Sequence, residues 1–499
     1  MKNMIKGLAV SLSLLALTTG CTSSFDEINT DPDAYSSVPF TNILADCIRT
    51  TGTNWTSLDV GQWAGYVSEI QYLNDYSGYI PTNNTYGNRW YNCYWVNTQL
   101  QDILDRTEKV ADANKNMRNV CIVWQNFLMY LNVTCFGNMP YSEAFKGSPE
   151  NGGILQAKYD EQSEIYPQIL AKLKEVADSW ATGEGSDELG SGDLLYEGNV
   201  ARWQKLCNSL RLRIAIQISG VYSGSQAIVE EILNNPTQYP CIMEDADNAY
   251  FWWQGSGDYY EPYYNNKRTR DDDGMADIFI DHLKMMKDPR LAVVAKPAVS
   301  DGEYRGFENG SKSDPADRAA ISRMGALYRD NPAGFTPYYR ACETYFMMCE
   351  AALNGWKTPL TATEAYEKGV RLSMEDNGIG DDATNTYLAD KGKWDGTKSR
   401  LFFEEWVALF KQNIVAWTLY RRTGYPTYIH TALAADGVSP KYPGARSAFN
   451  GIHNDVPFRF PYRNNEYLYN KANVTAAAAK CVDYVWGDQL WFDTRTGVK

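Results

Sequence analysis

Residues 119–145 read NVCIVWQNFLMYLNVTCFGNMPYSEAF, and the rest of the chain is legible from this stretch outward. Val120, Trp124, Phe127, Leu128 and Leu131 fall at steps of four, three, one and three, which predicts a helix with one apolar stripe. Such a stripe needs partner helices. Two are predicted nearby, over 90–111 with Cys93, Val96, Leu100, Ile103 and Leu104 inward, and over 159–180 with Ile165, Ile169, Leu170, Leu173, Val176 and Ala177 inward. Gly137-Asn138-Met139-Pro140-Tyr141 ends the central helix and imposes a loop before the next.

Further helices are predicted over 200–218, 277–286, 344–353, 362–374 and 404–419. Helix pairs near 90–135 and 340–375 resemble tetratricopeptide units in length without matching their motif. Residues 75–88, 291–336 and the last sixty read as loops, rich in Gly, Asn, Ser and Pro.

Composition narrows the function. The 499 residues carry a formal charge of −14, and an acidic surface of that size repels phosphate backbones, so no nucleic-acid partner is expected. There are 35 Tyr, 15 Trp and 17 Phe against three His. That balance suits a binder of ring-shaped ligands better than chemistry that relies on imidazole.

At the N-terminus, Lys2 and Lys6 precede an apolar run from Leu8 to Leu17, too short to span a bilayer and suited to a signal-peptide core. It leads to Thr18-Thr19-Gly20-Cys21, which resembles the lipobox of bacterial lipoproteins, although Leu17 lies one place further from the Cys than is usual. The expectation is a signal peptide over 1–20, lipidation at Cys21 and one domain over 21–499. Acyl chains contribute about 0.8 kcal/mol per buried CH₂, so they would anchor the protein in membrane lipid without a spanning helix. The nine other Cys are odd in number and lack CxxC spacing, which argues against a disulfide framework or zinc site. Most should be buried as small apolar groups.

Two aromatic stretches are candidate ligand platforms. In the polar loop after Trp63 the surface candidates are Tyr72, Tyr76 and Tyr79. The second stretch, AYFWWQGSGDYYEPYYNN over 249–266, surrounds a Gly-Ser-Gly turn and offers Trp253, Tyr259, Tyr260 and Tyr263. Its alternative reading is an apolar plug over the helices. Arg211 and Arg213 are expected in internal salt bridges. Asp271, Asp272 and Asp273 suit a hard cation such as calcium, but the twelve-residue EF-hand spacing is missing, so a solvated loop and no cofactor are expected.

Taken in order, the lipobox-like start, FDEINTDP (25–32), FGNMPYSEAF (136–145), YDEQSEIY (159–166), the Trp203–Arg213 segment, DPR (288–290), RRTGYP (421–426) and PFRFPY (457–462) resemble the SusD/RagB family of surface nutrient-binding lipoproteins of the Bacteroidetes. Asn138 stands where Asp is common in that family. The resemblance implies a mainly α fold, a right-handed scaffold of tetratricopeptide-like helix pairs covered on one side by long loops and a few short strands. It further implies a cell-surface, outer-membrane protein that captures oligosaccharide, or alternatively peptide, and delivers it to a SusC-type TonB-dependent transporter without catalysis. A carboxylate-dependent glycoside hydrolase and a pure protein adaptor are the competing classes; turnover of bound sugar would mark the first, absence of small-ligand binding the second.

Overall fold

The computed structural model describes residues 38–55, 58–73, 79, 82–311, 313–425, 453, 455–483 and 487–498. The proposed signal peptide, Cys21 and the FDEINTDP segment lie outside these residues, as do Tyr76 and most of 426–454. The first layer is a succession of packed helices: α1 (Phe40–Trp55), α2 (Leu58–Trp63), α3 (Asn83–Arg106), α4 (Lys115–Phe136), α5 (Gln162–Ala181), α6 (Val200–Gln217) and α7 (Ser225–Asn234). From α3 onward each packs against the next, and α1 lies on α3.

The central helix α4 is buried almost all round rather than along one stripe. Val120, Trp124, Phe127, Leu128 and Leu131 are in the core as expected, and so are Cys121, Val123, Tyr130 and Val133. Helices α3, α5, α6 and a later helix surround it, so its polar residues must find partners inside. Tyr130 donates to Gln217 Oε1 at 2.6 Å, and Trp124 Nε1 donates to Thr51 Oγ1 at 3.1 Å.

The loop after α4 is built by one carboxylate. Gly137 takes φ +80° and closes the helix, where a side chain would press on Gln162 and Leu490. Asp160 then accepts from the Tyr141 and Ser142 N–H groups at 3.1 and 2.7 Å and from Ser142 Oγ at 2.8 Å. Asn138 fills its loop position as an amide, its Oδ1 accepting from Gln162 N–H and its Nδ2 donating to Glu161.

The second half begins with β2 (Ala249–Trp252), α8 (Pro262–Thr269), β3 (Asp273–Met275) and α9 (Asp277–Met285). β3 pairs antiparallel with the short β1 (Val67–Glu69). The described residues of 291–334 carry short helices, α10 (Leu291–Val294) and α11 (Ala326–Arg329), beside a 3-10 turn. β4 (Phe335–Tyr339) pairs antiparallel with β2. Helices resume with α12 (Ala341–Leu353), α13 (Ala362–Asp376), α14 (Asp381–Ala389), α15 (Lys398–Ala408) and α16 (Asn413–Thr423), then α17 (Glu466–Tyr469) and α18 (Lys471–Ala478).

Three boundaries differ from the sequence reading. α3 starts at Asn83, inside the expected loop, because Tyr86 and Gly87 already face the core beneath a polar outer surface. The expected helix over 404–419 is two helices, broken where Lys411 takes φ +74° and turns its ammonium inward to Glu261 at 2.9 Å. The tail expected as loop contains α17 and α18, held through Asn470 Nδ2, which donates to the Ala157 carbonyl at 2.7 Å.

Buried arginines tie these layers together. Arg421 donates from Nη1 to the carbonyls of Thr134 and Phe458, both at 2.9 Å, and Phe460 N–H donates to the Cys135 carbonyl at 2.8 Å. The RRTG and PFRFPY segments thus satisfy the open carbonyl end of α4. Arg340 does the same for α15 through Ala408 O at 2.7 Å. Arg211 and Arg213 pair internally with Glu231 and Glu343. The nine described cysteines are free, eight of them buried. Buried apolar residues from Leu44 to Phe492 form one continuous cluster.

Candidate functional site

The ribbon of β2 and β4 decides which aromatic rings reach the surface. Pairing Trp252 with Phe335, and continuing through the Trp253 N–H bond to the Gly334 carbonyl, imposes strand alternation. Phe251 and Trp253 therefore point inward and Trp252 outward; Trp253 is 5% exposed and Trp252 58%. Trp253 Nε1 donates to Thr336 Oγ1 at 2.9 Å, fixing the inward ring. Gly255 then turns the chain with φ +76°, and its N–H donates to the Tyr259 carbonyl. A Cβ there would lie 2.7 Å from the Ala333 nitrogen, so this tight approach requires glycine.

The turn brings Tyr259, 44% exposed, beside α1. Arg49 lies over the Tyr259 ring, its guanidinium carbon 5.3 Å from the centroid, and it is itself held by Asp46 at 2.5 Å. Asp46, Arg49, Leu194, Phe251, Trp252 and Tyr259 thereby line an open hollow of about 420 Å³. It combines two exposed rings with a fixed cation and carboxylate.

The other side of the same loop faces β1 and β3. Glu261 caps α8 by accepting from Tyr264 N–H at 2.7 Å, and Pro262 opens the helix, so Tyr260 and Tyr264 stand near each other with centroids 5.6 Å apart. Arg268 covers Tyr260 at 4.1 Å, and Arg270 covers Tyr72 at 5.1 Å. Neighbouring residues Asp271 and Asp272 pair with arginines, Asp271 with Arg323 and Arg329 and Asp272 with Arg270. Asp273 is in the ladder opposite Glu69. Burial pushes its carboxyl up to about 7, Arg329 opposing and Glu69 adding to the rise. Among the described residues no group of three or more His, Cys, Asp or Glu side chains is arranged to hold a metal ion.

The sequence-predicted residues therefore divide. Tyr72, Tyr259 and Tyr260 reach solvent in whole or part. Tyr79, Trp253 and Tyr263 do not: Tyr79 is fully enclosed, and Tyr263 packs inside, its hydroxyl accepting from Asn413 Nδ2 at 2.8 Å. As arranged, Tyr79 and Tyr263 cannot stack a ligand, while Trp253 lines the hollow beside Trp252 with only 5% of its surface exposed; the expectation that these three rings stand at the surface is corrected. Trp252 was missed. Its signal was the alternation within AYFWW, which puts adjacent tryptophans on opposite faces once the segment is read as a strand.

A family model described as "Starch-binding associating with outer membrane" (SusD-like) matches residues 31–443. The chain belongs to the SusD-like family. A second model of this group, described as "Susd and RagB outer membrane lipoprotein", matches residues 397–493. Among solved structures, a chitin-binding SusD homolog from Flavobacterium johnsoniae is 22% identical, with a TM-score of 0.75 over 91% of this chain and 99% of that one. A SusD homolog from Bacteroides uniformis is 23% identical, with a TM-score of 0.75 over 92% of this chain and all of the other. A SusD-like protein from Bacteroides thetaiotaomicron gives 22% and 0.75, again over 92% and 100%. No curated protein sequence matches significantly. The mainly helical SusD-like fold is thus shared along nearly the whole chain. Among the described residues of this SusD-like protein, no helix is long and apolar enough to cross a membrane.

Proposed function

We propose that this SusD-like protein is a non-catalytic surface lipoprotein that captures oligosaccharide in the Trp252–Tyr259 hollow and passes it to a SusC-type TonB-dependent transporter. Acylated Cys21 would hold it in the outer membrane. The observation that carries the reading is the pair of exposed rings on a hollow of about 420 Å³, a size within the range of about 300–1,000 Å³ typical of small-ligand sites. Sugar rings present apolar C–H faces that stack on indole and phenol, while Asp46, Arg49 and Gln254 offer partners for hydroxyls.

The same lining speaks for binding without turnover. Glycoside hydrolysis by paired acids needs two carboxyl groups about 5 to 10 Å apart. Asp46 is the one carboxylate among the described residues of the lining, and Arg49 already engages it. The Flavobacterium relative named as chitin-binding makes β-linked N-acetylglucosamine oligomers the first ligands to try.

Isothermal titration of protein lacking residues 1–21 against chitooligosaccharides and a broader glycan panel tests the reading. Micromolar or weaker affinity is expected, with Trp252→Ala and Tyr259→Ala each weakening it about tenfold, a loss of about 1.4 kcal/mol. Affinity unchanged in both variants would remove the hollow from the binding site.

A further inference from the structure

A second hollow, of about 410 Å³, shares no lining residue with the first and opens among α3, α4, α5 and the loop after α4. Its walls include Gln125 from α4, Gln168 and Lys172 one turn apart on α5, and Tyr141, Lys146 and Asn151 from the loop. The chain is strongly acidic, yet neither Lys146 nor Lys172 has a carboxylate within 4.0 Å among the described residues. Asp105 also lines the hollow, but its two oxygens are occupied by Gln101 Nε2 at 2.8 Å and Asn151 Nδ2 at 2.7 Å.

The Lys172 ammonium is positioned rather than loose, and the backbone that carries the exposed Lys146 is fixed. Lys172 lies over the Tyr141 ring at 4.8 Å, and Tyr141 is fixed by donating to Asn126 Oδ1 at 2.8 Å. The carbonyl of Lys146 accepts from Ile154 N–H at 2.7 Å, and Phe145 before it takes φ +63°. Burial lowers the pKa of Lys172; Glu175, a turn further along α5, opposes this, and Lys146 adds to the lowering. Two cations that repel each other thus line one polar hollow, with Asp105, bonded only to neutral amides, as the single carboxylate among its described lining residues.

We propose that this hollow binds an acidic sugar, its carboxylate or sulfate oxygens held by Lys146 and Lys172. An oxyanion relieves the repulsion and gains two charge-assisted hydrogen bonds. The volume exceeds what a bare ion fills, and, with their nitrogens already donating within the protein, Gln125, Asn151 and Gln168 offer amide oxygens that suit ring hydroxyls as donors. The inference does not rest on the Trp252–Tyr259 reading, because the two linings are separate.

Oligogalacturonate, a sulfated disaccharide and inorganic sulfate, each titrated into the folded protein at 50 and 500 mM salt, test it. Expected is saturable binding of at least one acidic saccharide, weakened tenfold or more by salt and by Lys146→Gln/Lys172→Gln, and unchanged in Trp252→Ala. Lys146→Gln alone, read beside its melting temperature, gives the same answer if the double variant does not fold. No saccharide binding at millimolar concentration, equal affinity in the lysine variants, loss in Trp252→Ala, or sulfate binding as tightly as any saccharide would each overturn the proposal.

Discussion

Arg421 is fully enclosed, and its guanidinium lies against the Trp417 ring while bonding two backbone carbonyls. Burial pulls its pKa down to about 10, so it remains charged at neutral pH. Arg421→Ala should cost about 3 kcal/mol or more, since hydrogen bonds to charged groups contribute about 1.5–3 kcal/mol each and the α4 carbonyl end would lose its donor. Urea denaturation measures this directly; a change below about 1 kcal/mol would mean water replaces the guanidinium freely. Glu405 gives a prediction of opposite kind. Burial lifts its carboxyl from the ordinary 4.5 to about 8, Arg422 opposing and Glu350 adding to the rise. The folded state therefore keeps a proton that the unfolded chain releases, and stability is lost as pH rises from about 4.5 through about 8. Glu405→Gln removes this penalty, so its melting temperature relative to the native protein should improve between pH 5 and pH 9; an equal pH slope in both proteins would contradict it. The residue scale is also where the sequence is hardest to read. Trp252 and Trp253 are chemically identical neighbours, and only the register of β2 on β4 separates a surface ring from a core ring. Tyr79 carries no periodic mark of burial, since it stands in DYSGYIPT (75–82), a segment whose Gly and Pro read as loop.

At the scale of elements, α12 and α13 form the second-half pair expected from the sequence, and their closeness depends on Gly369. A Cβ there would lie 2.8 Å from the Phe346 ring. Gly369→Ala should destabilise by about 1–3 kcal/mol through overpacking despite the better helix propensity of alanine. Phe346→Leu added to that variant should recover part of the loss, read as a positive shift in melting temperature; no recovery would place the strain elsewhere. The helices α3 to α6, α9, α12 and α13 were legible because 3.6-residue periodicity over several turns has few alternatives, whereas α1 and α7 were not read from the sequence. Their breaks were less so. Nothing local in EEWVALFKQNIVAW announces a turn at Lys411; Glu261, 150 residues earlier in the chain, supplies the buried partner that makes the inward ammonium tolerable. The capping of α4 by RRTG and PFRFPY was likewise visible as motif and invisible as mechanism, since those segments lie about 290 and 320 residues downstream.

For the whole molecule, one apolar cluster runs through both halves, so the loops and small sheets rest on a rigid scaffold that can hold exposed rings in fixed places. The aromatic band divides into the Trp252–Tyr259 hollow and the Tyr72, Tyr260 and Tyr264 surface behind the same loop. If the hollow is the primary seat, Tyr72→Ala should change oligosaccharide affinity less than threefold while Trp252→Ala changes it about tenfold, a ranking that titration of both variants checks. The acidic surface adds a simple expectation for neutral glycans: their affinity should be nearly independent of ionic strength, in contrast to that of an acidic sugar held by Lys146 and Lys172. The most direct measurement is a crystal structure of the protein with a bound neutral oligosaccharide. A sugar ring face lying within stacking distance of Trp252 or Tyr259, with hydroxyls bonded to Asp46 or Arg49, is the predicted result; a ligand seated elsewhere, leaving both rings bare, would contradict it.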